Sequence, residues 1–368
     1  MSKLKYICTV LSLFLFILRA SAVCIIHPDL LEKHNIYLRN VNGIFDIQGS
    51  DIVETDQRVY LFCYGKNLEE FVCQSNTNFN RPLEDYNCTS GFPPSVVVQN
   101  HPSCPAPYKL YAVGYHYNGH FMELYQNCYD VGKLAFKHSS YMTYRYTNNS
   151  ERPTPSWATD DLANFITAYE GRATQACFLT NLGAKQPGCK FDRGHMTPAS
   201  AFIFAEVKKA TFRYINAIPQ YLGVNRGYWK SIETWITSLV KEKDPINKIK
   251  PVWRTHDQIK VCTGVLEEVH ALKHNHNNNM IPIYLMNNNK IPVPTWMYKT
   301  VTTLSGTQLV ILTYNDNIRP SDLEINRICN TTACPSELPT NKRIVGHTVC
   351  CNHYDFISLN AAHLTGIC

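Results

Sequence analysis

Fourteen cysteines constrain the fold of this chain more than any other feature of its sequence. The chain contains fifteen, and Cys8 lies in an apolar leader whose removal leaves an even number. An even set of this size predicts a framework of up to seven disulfides formed in an oxidising compartment. The adjacent Cys350 and Cys351 are expected to bond to different partners. Zinc binding is disfavoured, because no two cysteines have CxxC spacing.

Residues 1–22 are predicted to be a secretory signal peptide. Lys3 and Lys5 supply a positive start, an apolar run extends from Ile7 to Leu18, and Ala20-Ser21-Ala22 provides a cleavage site. The apolar run is shorter than the roughly 20 residues that span a membrane. No later stretch of the chain is apolar over such a length. We therefore expect a secreted, extracellular protein without a membrane anchor.

Two regions are expected after the leader, and hydrophobic residues make up 45% of the chain, enough to bury a large core. Residues 23–104 contain a predicted strand at 59–64 among many Asn, Asp and Pro turns, which indicates a disulfide-tied, β-rich N-terminal region. Its role stays open between a stabilising or pro-region-like module and a module that captures substrate or a partner. Residues 105–368 carry five predicted sheet strands, at 108–115, 140–146, 259–265, 297–303 and 308–313. Ser321 and Glu324 fit a capping box for a late helix.

The tetrapeptide Asp192-Arg193-Gly194-His195 combines groups that phosphodiester hydrolysis needs. A histidine can take a proton from the attacking water, and an arginine can neutralise negative charge on the phosphate. Downstream, Asn225, Trp229 and Glu233 recur at every fourth position, which predicts that they share one face of a helix. An amide oxygen and a carboxylate on one face suit a hard divalent cation.

Three linked blocks of this stretch resemble a known family. They run from Phe191 to Ala199, from Ile215 to Gln220 and from Asn225 to Glu233. Their content, order and spacing resemble the DNA/RNA non-specific endonucleases, whose core is a ββα-metal finger, also called a His-Me finger. The resemblance implies an α+β fold, with a central antiparallel sheet flanked by helices, and Mg²⁺ as the cofactor, with Mn²⁺ as a substitute. The N-terminal region loosely resembles the extension of secreted animal members, among them insect digestive double-stranded RNases.

The resemblance implies roles at the metal and at the phosphate. His195 is implied to be the general base, Asn225 the direct protein ligand to Mg²⁺, and Glu233 the carboxylate that holds a metal-bound water. Arg193 is implied to assist at the phosphate. A further arginine would stabilise the charge of the transition state, and Arg152 is the better match for it, with Arg145 as the rival.

Four other positions carry weaker predictions. Asn216 and Gln220 are implied to support the site and contact the substrate backbone, although Asn216 could instead cap a turn. Asp192 is grouped with the substrate-binding positions and is expected to fix the turn. Trp229 is interpreted as a core residue, because an aromatic ring on the inner face of a helix normally fills space. An ordinary surface acid remains the alternative for Glu233.

Basic residues crowd this part of the chain, namely Lys190, Arg193, Lys208, Lys209, Arg213, Arg226 and Lys230. Removal of the leader lowers the formal net charge from +6 to +3, so the mature protein is only mildly basic overall. The local cluster predicts phosphate contacts without base specificity, and therefore DNA and RNA as partners. A normal solvated face is the alternative for each basic residue taken singly. The sequence does not indicate an oligomeric state.

These features together predict a secreted, Mg²⁺-dependent endonuclease that hydrolyses DNA and RNA to 5′-phosphorylated oligonucleotides. A preference for double-stranded RNA stays open. One alternative is a catalytically inactive, secreted nucleic-acid-binding protein, which the joint presence of His195, Asn225 and Glu233 disfavours. The other is a secreted phosphodiesterase acting on small nucleotides, which would need a closed pocket in place of a basic groove.

Two surface features complete the predictions. Asn87, Asn148 and Asn330 each begin a glycosylation sequon, and we expect two of the three to be used. Three histidines lie at 270, 274 and 276 in an asparagine-rich stretch. We interpret that stretch as a solvated loop, because nothing in it predicts a rigid cage of metal ligands.

Overall fold

The computed structural model describes residues 23–162, 168–169, 191–242, 258–273, 280–338 and 347–368. The predicted signal peptide lies outside the described residues, as do Cys177, Cys189, Lys190, His274 and His276. None of the helices in the described ranges is long and apolar enough to cross a membrane.

The chain begins with a small β-rich unit that two disulfides close, Cys24–Cys73 and Cys63–Cys88. Strand β5 contains residues 59–62 of the predicted 59–64 strand and lies inside a four-stranded antiparallel sheet of order β3-β2-β5-β6, while β1 pairs with β4. The elements are β1 (Val23–Ile25), α1 (Pro28–Leu31), β2 (Ile36–Val41), β3 (Ile44–Ile47), β4 (Ile52–Glu54), β5 (Arg58–Phe62) and β6 (Glu69–Val72).

A nine-stranded antiparallel sheet forms the centre of the molecule, in the order β20-β21-β19-β18-β13-β10-β9-β8-β7. Its strands are β7 (Ser95–Gln99), β8 (Lys109–Tyr117), β9 (His120–Asp130), β10 (Ala135–Tyr144), β13 (Gln258–Val265), β18 (Trp296–Thr303), β19 (Gln308–Tyr314), β20 (Thr331–Thr332) and β21 (His347–Cys351). All five strands predicted for the region after residue 105 occur in this sheet. The sheet-rich α+β class is therefore confirmed.

The N-terminal unit is joined to the central sheet rather than appended to it. Strand β7 lies before the predicted boundary at residue 104, yet it pairs with β8 along its whole length. The main hydrophobic core is also continuous across that boundary, since Tyr37 and Phe71 belong to the same buried cluster as Tyr125 and Trp229. The division of the chain at 104 remains a prediction.

Two strands and a helix carry the DRGH stretch. Strands β11 (Phe191–His195) and β12 (Ala217–Tyr221) form a separate antiparallel pair, with His195 opposite Ala217. A short turn of helix, α3 (Leu222–Val224), leads to a wide turn at Asn225–Trp229 and then to α4 (Lys230–Val240). Asn225 thus lies before the regular helix rather than in it, because the backbone of Gly227 leaves the helical conformation.

The remaining elements lie outside the nine-stranded sheet. They are α2 (Ala205–Lys209), β14 (Ala271–Lys273), β15 (Met280–Pro282), β16 (Tyr284–Met286), β17 (Lys290–Pro292), α5 (Asp322–Ile328) and α6 (His353–Asn360). The capping box at the start of α5 is confirmed, since Ser321 and Glu324 exchange both expected hydrogen bonds.

The cysteine predictions are confirmed where the structure describes them. Cys350 bonds to Cys334 and Cys351 to Cys329, so the adjacent pair does bond to different partners. The other disulfides of the described region outside the N-terminal unit are Cys104–Cys128 and Cys262–Cys368.

Candidate active site

A polar cavity of about 640 Å³ contains most of the predicted site residues. Most of its lining residues form two walls. We call one the helix wall, lined by Asp192, Arg193, His195, Asn225, Arg226, Lys230 and Glu233. We call the other the loop wall, lined by Asn149, Ser150, Arg152, Trp157 and Lys208.

His195 ends strand β11 on the helix wall and is only 7% exposed. Its ring lies 4.7 Å from the Trp157 ring and 4.8 Å from that of Phe212, measured between centroids. Its Nε2 is buried and has no hydrogen-bond partner among the described residues. Burial, together with the nearby charges of Arg152, Arg193 and Lys299, lowers the pKa of His195 to about 3. The ring is therefore neutral at physiological pH and carries a free lone pair suited to accepting a proton.

The strand pair fixes the position of His195 through tight packing. A methyl group on Gly194 would overlap the side chain of Gln220 on the opposite strand, so this position requires glycine. Behind the histidine, the Asn216 amide accepts a hydrogen bond from Thr197 N at 2.9 Å and donates to the carbonyls of Thr197 and Thr211. Asn216 and Gln220 are fully buried. Their placement favours support of the site over contact with substrate.

Asp192 orients Asn225 across the helix wall. Asn225 Nδ2 donates to Asp192 Oδ2 at 3.0 Å, and Arg226 Nε donates to the same oxygen at 2.9 Å. Because the nitrogen of the Asn225 amide is engaged by a carboxylate, the amide oxygen is the atom left to meet a ligand. Asp192 therefore acts on Asn225 in addition to bracing the turn.

Glu233 lies on the same wall, at the first turn of α4, and is 16% exposed. Its Oε1 is buried without a hydrogen-bond partner among the described residues, and Lys299 Nζ lies 3.9 Å from it. Burial raises the pKa of Glu233, and the Lys299 ammonium opposes that rise. A carboxylate oxygen without a hydrogen bond beside the cavity indicates a missing polar ligand.

Lys299 was not expected from the sequence. It is fully buried on β18, where its Nζ donates to the carbonyl of Met196 at 3.3 Å and to Thr263 Oγ1 at 3.0 Å. The same ammonium lies 4.4 Å from the centre of the Trp229 ring. Trp229 is itself buried and donates to the carbonyl of His195 at 3.2 Å, which confirms its interpretation as a core residue. A lone lysine inside an apolar strand was the available signal.

The helix wall fits a hydrated divalent cation better than a dense cage of ligands. The described residues contain no group of three or more His, Cys, Asp or Glu side chains that could hold a metal ion. Asn225, whose amide nitrogen is engaged by Asp192, and Glu233 nevertheless line one cavity. Mg²⁺ keeps most of its water and often takes only one or two protein ligands, so these residues fit that ion.

The loop wall contributes Arg152 and Trp157. Arg152 is exposed in the cavity, with its guanidinium carbon 5.4 Å from the centre of the Phe212 ring. Its rival Arg145 does not line the cavity and instead forms ion pairs with Glu54 at 2.9 Å and Glu242 at 3.4 Å. This placement favours Arg152 for the second arginine.

Trp157 joins the two walls, and the sequence did not predict this. Besides its contact with His195, its ring lies 5.3 Å below the guanidinium carbon of Arg193. Arg193 Nη1 also donates to the Tyr214 hydroxyl at 3.2 Å, so this arginine is held at the rim. The indole packs against His195 and holds Arg193 by a cation–π contact.

Several members of the predicted basic cluster are paired within the protein. Lys209 bonds to Glu206 at 2.7 Å, Arg213 to Asp160, and Arg226 to Asp192. Lys208 is buried and donates to the carbonyls of Ser150 and Glu151. The cationic character of the cavity therefore depends mainly on Arg152, Arg193 and Lys230.

The surface predictions have mixed outcomes. The side-chain nitrogens of all three sequon asparagines donate hydrogen bonds, Asn87 to the carbonyl of Glu84, Asn330 to Asp355, and Asn148 to Asp51 and Thr147. Asn87 and Asn330 are exposed, and the use of two of the three sequons stays a prediction. The solvated-loop interpretation is wrong for His270, which is buried and lies 3.1 Å from Asp316.

The chain is similar to a protein family, to a relative and to a solved structure. Residues 107–356 match the family model for DNA/RNA non-specific endonucleases. A salivary endonuclease of Lutzomyia longipalpis is 25% identical over 324 residues, which cover 82% of this chain and 72% of that relative. Among solved structures, the EndoG/EndoGI complex is 17% identical and covers 64% of this chain and 85% of that chain, with a TM-score of 0.34.

Proposed function

The chain belongs to the DNA/RNA non-specific endonuclease family and is a nuclease, and from this premise we propose that it is a secreted, Mg²⁺-dependent endonuclease with His195 as its general base. One observation carries the proposal. A neutral histidine with a free Nε2 shares a cavity with the oriented amide of Asn225 and the carboxylate of Glu233. Metal-assisted phosphodiester hydrolysis requires a general base and groups that hold the metal, and these three side chains can supply them.

Each wall has its own part in the proposed reaction. His195 Nε2 takes a proton from the water that attacks phosphorus, and burial keeps the ring neutral and ready. Arg152 and Arg193 lie where negative charge grows on the phosphate oxygens. Asn225 and Glu233 would hold Mg²⁺, which when bound supplies Lewis-acid stabilisation of the phosphate and the leaving 3′ oxygen. Attack by water with departure of that oxygen leaves a 5′-phosphate on the product.

The proposed substrates are DNA and RNA polymers, contacted through their backbone. Arg152 and Lys230 are exposed along the rim of the cavity, an arrangement that suits a chain of phosphates better than a single small nucleotide. None of these cationic groups distinguishes a 2′-hydroxyl or a base edge, so the proposal extends to both sugars and both strand states. The disulfides and the salivary relative support an extracellular setting.

The test is cleavage of plasmid DNA and long double-stranded RNA by the purified protein, with and without Mg²⁺ and with a chelator. We expect internal cleavage of both polymers, abolished by the chelator. His195→Ala should lower kcat by ~10²–10⁴-fold, the usual contribution of a general base. His120→Ala, at an exposed histidine where β9 begins, serves as the matched control and should retain full activity.

Each alternative predicts a different result. Equal cleavage by wild type and His195→Ala would contradict the role of the histidine. Binding of nucleic acid without cleavage by any preparation would favour the inactive binding protein. Release of mononucleotides before any loss of polymer length would favour a phosphodiesterase acting on small substrates or chain ends.

A further inference from the structure

The loop wall depends on support from outside its own segment. Arg152 lies within residues 147–157, which contain no helix or strand. Only single bridges flank this segment, one between Tyr146 and Lys241 and one between Ala158 and Arg213. A segment without regular structure has free backbone groups, and some other part of the protein must bond to them for the segment to keep one position.

Asp51 of the N-terminal unit accepts hydrogen bonds from two of these backbone groups. Its side chain is completely buried in the loop before β4. Its carboxylate accepts hydrogen bonds from the backbone N–H groups of Thr147 and Asn148, both at 2.8 Å. It also accepts from the Thr147 hydroxyl at 2.5 Å and from the Asn148 amide at 3.2 Å. One buried carboxylate thus holds two consecutive residues through four charge-assisted bonds.

Two further contacts extend this clamp to the residue beside Arg152. Glu32, also in the N-terminal unit, accepts a hydrogen bond from the backbone N–H of Glu151 at 2.5 Å. From the other side, the buried Lys208 donates to the carbonyls of Ser150 and Glu151. The segment is therefore gripped at 147, 148, 150 and 151, immediately before the cationic side chain that enters the cavity.

The short helix α2, which carries Lys208, is tied to the N-terminal unit as well. Glu206 on that helix accepts from His34 Nδ1 at 3.0 Å and from the backbone N–H of Phe92 at 3.1 Å. The N-terminal unit therefore braces the loop wall both directly, through Asp51 and Glu32, and indirectly, through α2.

We propose that Asp51 is a positioning residue of the active site, through which the N-terminal unit holds the Arg152 segment against the cavity. The N-terminal unit is then neither a removable pro-region nor a separate capture module but a part of the scaffold of the site. This inference rests on the proposed role of Arg152 in stabilising the charge of the transition state. Asp51 itself is too deeply buried to touch substrate, so its effect must pass through the segment that it holds.

The experiment compares four full-length proteins, namely the wild type, Asp51→Asn, Arg152→Ala and the double variant. We expect Asp51→Asn to lower kcat by ~10-fold with KM little changed, because a small displacement of a charge-stabilising group costs rate more than binding. In the Arg152→Ala background the same change should lower kcat by less than about twofold, since the group that it positions is absent. Asp46→Asn is the matched control, because Asp46 lies in the same unit in an ion pair with Arg39 at 2.9 Å and contacts no residue of the segment.

Two results would overturn the proposal. One is an unchanged kcat in Asp51→Asn, and the other is an equal loss in both backgrounds, which a merely structural role would give. If Asp51→Asn does not fold, Thr147→Val removes one of the four bonds and should give the same non-additivity with Arg152→Ala. An unchanged kcat in Arg152→Ala would overturn both this proposal and the role of Arg152, whereas failure of the proposed nuclease mechanism would instead appear as full activity in His195→Ala.

Discussion

The two walls of the cavity are built in opposite ways. The helix wall comes from one continuous stretch, residues 191–240, whose strand pair, turn and helix bond mainly to one another. The loop-wall segment 147–157 has no regular structure and is held by Asp51, Glu32 and Lys208, which lie far from that segment in sequence. The first wall is specified by contacts within its own stretch, and the second by contacts with residues distant in sequence. Mutations within residues 191–240 should therefore disturb the helix wall, whereas mutations far from residues 147–157 can disturb the loop wall.

The largest effect is expected on the helix wall at Asn225. Several kcal/mol of charge stabilisation by a metal correspond to a ~10³-fold change in rate, so Asn225→Ala should lower kcat by about that factor. It should also raise the Mg²⁺ concentration needed for half-maximal activity, measured by titration of the metal in a cleavage assay. Asn330→Ala, at an exposed surface amide, is the control. An unaltered Mg²⁺ requirement would show that the metal is held elsewhere.

The next effect tests the loop wall. Arg152→Ala should lower kcat by ~10²-fold, the usual loss when one charge-stabilising donor is removed from an active site. Arg145→Ala removes the rival arginine, whose partners are Glu54 and Glu242 at the surface, and should leave kcat within about twofold with a stability loss below about 1 kcal/mol. Steady-state kinetics of the two variants decide between them, and the reverse pattern would assign the transition-state role to Arg145.

A smaller effect sharpens the local character of the helix wall. In Gly194→Ala the added methyl group overlaps Gln220, which should cost about 1–3 kcal/mol of unfolding free energy and lower activity by roughly tenfold. Shortening the opposing side chain relieves the overlap, so Gly194→Ala combined with Gln220→Ala should lose less stability than the two single changes added together. Denaturant unfolding measures all three variants, and simple additivity would argue against the packing explanation.

The smallest effect concerns acid stability in the presence of a chelator. The folded pKa of His195 is lowered to about 3, whereas the unfolded chain has an ordinary value near 6.5. As the pH falls below 6.5, the unfolded state therefore binds a proton that the folded state does not bind, and the free energy of unfolding decreases. At pH 5 this loss is about 2 kcal/mol relative to pH 7.5. His195→Ala should show a shallower fall in unfolding free energy over that range, while His120→Ala should keep the wild-type slope.

Local patterns were enough to predict most of the helix wall. Asn225 and Glu233 line one cavity as expected, but the predicted single helical face is wrong, because Asn225 lies before the regular helix and Trp229 is buried in the core. Alternation of apolar residues predicted five strands of the central sheet. Strand β9 was missed because its sequence lacks clean alternation, and burial of both faces at its end explains why. Asn216 and Gln220 were recognised as important, but their complete burial depends on the packing of β11 against β12 and could not be inferred from residue type.

The residues that the sequence did not predict all act through long-range contacts. Lys299 extends into the site from β18. Trp157 belongs to the site only because the fold packs its ring against His195. Asp51 is one acid among many until the fold brings it to Thr147 and Asn148. Hydrogen bonds between residues about a hundred positions apart leave no periodicity or motif in a single sequence, and for that reason the bracing of the loop wall appears only in the structure.

Strand β7, which also lies before residue 105, affects the solubility of the protein. Residues Ser95–Gln99 of β7 pair with β8 and form one edge of the nine-stranded sheet. A shortened chain starting at residue 105 would leave β8 as a long edge whose unpaired N–H and C=O groups invite pairing with another copy. We expect such a fragment to aggregate through that edge, so the part of the chain that braces the active site also guards the sheet against self-association.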